Sequence, residues 1–257
     1  IAITTLLGLV FTRQRRAFPL TPVSGMLLAF VAWMSFTSLF ALQPTEVVFD
    51  VWLRIIKTQV MIFATLMLIR GRAQIDQLIW AIVLSVGFYG VKGGVWTVLQ
   101  GGVNRVWGPP GSYIEGNNEL ALALVMLLPL MYYLARTNSH RWIRYGLYAA
   151  IAACTFSILG SQSRGALLSL GVLVVLLGTK SDRPVLVTLV LAGLFAGAVA
   201  FMPDSWNVRM STIESYEQDS SAMTRIQVWQ TIWNMVLHRP IVGAGFDLDN
   251  PLLFQLY

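Results

Sequence analysis

Long apolar runs recur along this chain, and every second break between them is basic. Arg13, Arg15 and Arg16 fill one break, and Arg70 and Arg72 the next of that kind. Arg136, Arg141 and Arg144 follow, then Lys180 and Arg183. The breaks between carry few cations or an acidic excess. This alternation is the positive-inside pattern of a polytopic membrane protein, and within a bilayer only helices or closed barrels satisfy the backbone. The period-two patterning of barrel strands is absent, so the chain is expected to be all-α. Composition points the same way. The chain is 56% hydrophobic and only 12% charged, with mean hydropathy +0.66, whereas soluble domains carry about a quarter charged residues.

The net charge of +6 sits mostly beside the apolar runs. It reads as an orientation signal and argues against nucleic acid as a partner. Cys154 is the single cysteine, which excludes an intrachain disulfide and a zinc cluster.

A bilayer span takes about 20 apolar residues. On that measure Leu20 to Leu42, Val51 to Ile69, Ile75 to Leu99, Glu119 to Leu134, Tyr145 to Gly160, Ala166 to Gly178 and Pro184 to Met202 are seven expected spans. The shortest must draw on the adjoining turns. Ile1 to Phe11 reads as the tail of a truncated helix, and Tyr257 falls in the middle of a polar loop, so the sequence is expected to be an internal piece of a larger protein. Residues 1–202 form the expected transmembrane domain. From Pro203 the apolar density falls, and six acids (Asp204, Glu214, Glu217, Asp219, Asp247, Asp249) outnumber three arginines (Arg209, Arg225, Arg239). Residues 203–257 are therefore expected to begin a large extracytoplasmic loop. Within it Ile226, Trp229, Trp233 and Val236 repeat at helical spacing and Pro240 stops the run, which predicts an amphipathic helix along the membrane face.

The topology leaves some cations unexplained. Arg54, Lys57, Lys92, Arg105, Arg164, Arg209, Arg225 and Arg239 all fall on the outer side or at membrane depth. Ionisable groups at that depth are costly and tend to mark a substrate path. Arg164 lies in the minimal turn Ser161–Gln162–Ser163–Arg164–Gly165. It either snorkels to headgroups or grips a phosphate with two parallel hydrogen bonds. Arg54 and Lys57, three apart on one helix, share a face and can also snorkel. Lys92 is deeper and flanked by glycines that permit close approach of a neighbour or ligand. Arg225 sits in the first turn of the amphipathic helix, where the macrodipole disfavours a cation. Carboxylates near the outer face are few (Asp50, Glu115, Glu119), so the missing counter-charge points to an anionic ligand such as a lipid pyrophosphate. Arg54, Lys57, Lys92, Arg164 and Arg225 are expected to converge on one cavity. His238, beside Arg239–Pro240, reads as a helix cap, and Trp229 and Trp233 as interface anchors. No nucleotide-binding loop, metal-ligand cluster or Ser-His-Asp set occurs.

The turn Ser163–Arg164–Gly165–Ala166–Leu167–Leu168 resembles the Arg-x-x-x-Leu turn of the bacterial O-antigen ligase and polymerase superfamily. Arg225–Ile226–Gln227–Val228–Trp229, followed by Pro240–Ile241–Val242–Gly243–Ala244–Gly245–Phe246, is similar to that superfamily's large periplasmic loop. The segment Gly111 to Ala121 resembles more narrowly the O-glycosylation ligases associated with exosortase systems. The resemblance implies a multi-pass protein of the bacterial inner membrane. It implies glycan transfer from undecaprenyl pyrophosphate to a lipid or protein acceptor, without metal, nucleotide or other cofactor. Arg164 and Arg225 match the family's two pyrophosphate-binding arginines. The family's histidine base falls beyond Tyr257 and His238 does not match it, so this piece alone is expected to be inactive. The competing reading is a transporter or flippase for an anionic lipid-linked glycan or solute, which needs similar cations. The large amphipathic outer loop favours the enzyme.

Overall fold

A computed structural model describes residues 11, 18, 20–69, 71–180, 184–211 and 220–246. The basic residues Arg13, Arg15, Arg16, Arg70 and Arg183 lie outside the described residues, as do residues 1–10 of the N-terminal remnant. So do the acids Glu214, Glu217, Asp219, Asp247 and Asp249. The described residues form nine helices and no strand: α1 Pro22–Ser38, α2 Thr45–Leu68, α3 Arg72–Leu99, α4 Asn117–Thr137, α5 Arg141–Gly160, α6 Arg164–Thr179, α7 Pro184–Ala200, α8 Asp204–Ser211 and α9 Ser220–His238. The all-α expectation holds among these residues.

Four helices, α2 to α5, are long and apolar enough to cross a membrane. The apolar helices α1, α6 and α7 have 17, 16 and 17 residues. At about 1.5 Å rise per residue these fall short of a hydrocarbon core about 30 Å thick. Large apolar side chains are widely exposed along the long helices, among them Leu84, Phe88, Leu122 and Met126. Such a surface is costly in water and suits lipid.

The chain divides into two compact units, residues 1–72 with 217–257, and residues 73–216. In the first unit α1 packs on α2, and Trp52 on α2 donates its indole N–H to Ser35 Oγ on α1 at 2.9 Å. Thr21 caps α1 through a reciprocal pair with Ser24, and Pro22 follows at the first helical position, where a missing N–H costs nothing. The segment after α9 folds back on the segment after α1. Leu42 N–H donates to the Ala244 carbonyl at 2.9 Å, and Arg239 Nη2 donates to the Phe40 carbonyl at 2.8 Å. Gly245 closes this contact at φ +98°, a left-handed conformation that a side chain resists, and any Cβ there would press on Ala41.

The second unit is an antiparallel bundle of α3 to α8. Its core is built on α4 and α5 through Leu120, Leu124, Leu127, Met131, Ile158 and Leu159, with Ala166 and Leu170 of α6 packed against them. The face of α3 that carries Gly90, Gly93, Gly94 and Thr97 is buried. A Cβ at Gly94 would overlap the carbonyl of Ala153 on α5, so α3 and α5 approach backbone to backbone there. The helix reversals bring the end of α3, the start of α4, the α5–α6 turn and the α7–α8 junction to one end of this bundle.

Candidate functional site

That end is organised around the turn between α5 and α6. Ser161 finishes α5: its N–H donates to the Ser157 carbonyl at 2.9 Å and its hydroxyl to the Ile158 carbonyl at 2.6 Å. Gln162 then takes φ +56°, the only left-handed non-glycine among the described residues. Ser163 is extended and its Oγ accepts from Ala166 N–H at 3.3 Å, which caps α6. Arg164 is therefore the first residue of α6, half-buried, immediately after three buried polar residues.

Three separate elements hold the turn. From the α3–α4 loop, Val106 N–H donates to the Gly160 carbonyl at 3.0 Å. From the start of α4, Asn117 Nδ2 donates to the Ser161 carbonyl at 2.8 Å. From α8, Trp206 Nε1 donates to the Leu159 carbonyl at 2.9 Å. The turn reaches back through Gln162, whose amide nitrogen donates to the carbonyls of Val103 at 3.1 Å and Gly102 at 3.4 Å. Its amide oxygen accepts from Arg105 Nε at 3.3 Å. These bonds offset the roughly 1–2 kcal/mol that a left-handed non-glycine residue costs. The α3–α4 loop is itself closed. Gly108 N–H donates to the Glu115 carbonyl at 2.8 Å, and the Glu115 carboxylate accepts from Gly111 N–H at 2.7 Å. Glu115 is thus spent on its own loop.

Residues 148–256, which contain this turn and the segment after α9, match the O-antigen ligase family model. Residues 148–256 thus carry an O-antigen ligase region. Residues 1–139, more than half of the chain's length, match a family of unknown function (DUF5935), of which the chain is a member. No curated protein and no solved structure matched it.

The sequence-predicted cations divide between the two units. In the second unit Arg164 stands on the clamped turn, whereas Lys92 is exposed on α3 and lies away from the buried glycine face beside it. The glycines around Lys92 thus serve the close approach of α5. In the first unit Arg54 and Lys57 are exposed on one face of α2, and Arg225 is exposed in the first turns of α9. Trp229 and Trp233 are exposed on α9 with Ile226 half-buried beside them, while Met235 is buried on the opposite face. Helix α9 thus exposes its Trp229 and Trp233 side and packs its Met235 side. His238 Nδ1 sits 2.8 Å from the Asn234 carbonyl, the local contact of a helix-end residue. Among the described residues no group of acids, histidines and cysteine could hold a metal ion.

Sequence reasoning passed over Arg105, Gln162 and Asn117 as parts of the site. Arg105 was visible only as an unexplained cation, and nothing in its spacing tied it to a turn 57 residues away. Asn117 stood within the segment that resembles the O-glycosylation ligases, but its contact with Ser161 is tertiary.

Proposed function

We propose that the full-length protein is a membrane glycosyltransferase that moves a glycan from undecaprenyl pyrophosphate to an acceptor hydroxyl on the extracytoplasmic face of a bacterial inner membrane. At family level it is O-antigen ligase-like. The observation that carries the finer reading is Arg164, a half-buried arginine at the first position of α6 on a turn that three other elements hold. Rigid support is what a bidentate phosphate contact needs, because the planar guanidinium gains its strength from two parallel hydrogen bonds.

The reaction is an inverting displacement. The acceptor oxygen forms a bond to the anomeric carbon while the bond from that carbon to the pyrophosphate oxygen breaks. The electron pair leaves with the undecaprenyl pyrophosphate, and a base takes the hydroxyl proton. Arg164 stabilises the negative charge that grows on the leaving oxygen, and no metal is required for that task. The base is not assigned to a residue of this sequence. Arg225 is the second arginine that the resemblance assigns to the pyrophosphate. Lys92, Lys57 and Arg54 add positive potential for an anionic donor. The cation alternation supports seven spans, with α1, α6 and α7 completed by their adjoining turns, and an outward-facing site. The acceptor is a lipid or a protein that carries the attacking hydroxyl.

The test is glycan transfer in cells lacking the endogenous gene, with membrane levels of each variant checked by immunoblot. Arg164→Ala in the full-length protein should lower transfer roughly a hundred- to a thousandfold. Arg164→Lys should fail nearly as badly although it keeps the charge. Near wild-type transfer by the lysine variant would instead make Arg164 an interface anchor.

A further inference from the structure

We propose that Arg105 is a further phosphate-binding arginine, which Gln162 ties to the turn that carries Arg164. This deepens the reading of the donor site and rests on it. Arg105 belongs to the α3–α4 loop and is exposed, with its Nε committed to the Gln162 amide oxygen at 3.3 Å. Gln162 lies two residues before Arg164 in the same turn. The same amide donates to the carbonyls of Gly102 and Val103, so its oxygen can face only one way and the stretch from Gly102 to Arg105 is tied to the turn at three points. Bonding through Nε leaves the two Nη groups of the guanidinium without a partner among the described residues. The two Nη groups form the end-on edge of the guanidinium, and that edge can pair with a phosphate in a fork.

The chemistry around Arg105 favours an anion. Its fixed partner is a neutral amide, which orients the guanidinium without cancelling its charge. The carboxylate nearest in its own loop, Glu115, is bound to the Gly111 N–H. A buried glutamine in a left-handed conformation carries strain that an ordinary turn would avoid. Here the strained residue ties a cation from a different part of the chain to the turn that carries Arg164. A pyrophosphate has two phosphoryl groups and takes more than one guanidinium, and Arg105 adds a fork from the α3–α4 loop to those of Arg164 and Arg225. Gln162 is then a positioning residue, and Arg105 a ligand of the donor.

The full-length protein in nanodiscs tests this with radiolabelled undecaprenyl pyrophosphate and undecaprenyl monophosphate as probes. Arg105→Gln keeps a neutral polar side chain and loses the fork. It should weaken pyrophosphate binding roughly ten- to a hundredfold and monophosphate binding far less, with an unchanged melting temperature. Gln162→Ala should reproduce the loss for pyrophosphate. If Arg105→Gln does not fold, Arg105→Lys replaces it, and the expected result is the same preferential loss. Wild-type pyrophosphate binding by a folded Arg105 variant overturns the assignment. If Arg164→Ala weakens binding while the Arg105 variants do not, this inference fails alone. If neither does, the donor reading fails with it. Competition for the Arg105-dependent site by excess phosphatidylglycerol would make the ligand a phospholipid headgroup and would also overturn the assignment to the donor.

Discussion

Asn117 shows how much one side chain contributes to the candidate site. Its amide holds the Ser161 carbonyl, which lies in a buried turn. Asn117→Leu should destabilise the full-length protein by about 1–3 kcal/mol, the cost of leaving a buried acceptor unmet, and thermal unfolding in detergent will read it. The exposed neighbour gives the control, since Asn118→Leu should be close to neutral. At this scale the sequence was informative where chemistry is local. Arg164 in a turn between two apolar runs is legible from residue order, whereas the capping of α6 by Ser163 was not read from it. Gln162 and Asn117 were not legible, because their partners lie far away in the chain and amide side chains carry no periodic signal.

Helices were the most legible level. Each of the seven expected apolar runs became a helix, because a bilayer-length apolar run has no other way to satisfy its backbone, and α9 ends before Pro240 as its sequence requires. Some ends moved outward into polar residues, α2 beginning at Thr45 and α4 at Asn117, whereas α1 covers only Pro22–Ser38 of the expected Leu20 to Leu42. Helix α8 was not foreseen, since eight largely polar residues show no apolar run; Pro203 and Asp204 at its start are the signals that were available. The glycines of α3 permitted either a ligand or a neighbour, and α5 is the neighbour. Gly94→Ala would push a methyl into the Ala153 carbonyl, so it should cost about 1–3 kcal/mol or more. Gly146 on α5 faces open space, and Gly146→Ala should cost nothing measurable in the same thermal assay.

The whole molecule divides in more than one way. The two family matches meet between residues 139 and 148, across the connection into α5 and its first two turns, whereas packing groups the ends of the chain into one unit and its middle into another. Sequence could not foresee the second division, because the contact of Ala244 with Leu42 joins segments some 200 residues apart. Orientation rests on the cations alone, since helices pack identically whichever way the bundle faces. In a Cys154→Ala background, a cysteine at Ser112 should react with an impermeant maleimide on intact spheroplasts, and one at Lys180 only after the membrane is opened. The reverse pattern would put the Arg164 turn on the cytoplasmic face, where an extracytoplasmic donor could not reach it.

Transfer itself is the central claim, and one reconstitution tests it. The purified full-length protein is placed in liposomes with an undecaprenyl-pyrophosphate-linked glycan and the lipids and envelope proteins of its own host as acceptor, without nucleotide sugar or metal. The predicted result is glycan on an acceptor, with undecaprenyl pyrophosphate released in equal amount and loss of both products in Arg164→Ala. Movement of the donor across the bilayer with its glycan–pyrophosphate bond intact, and no acceptor modified, would contradict it.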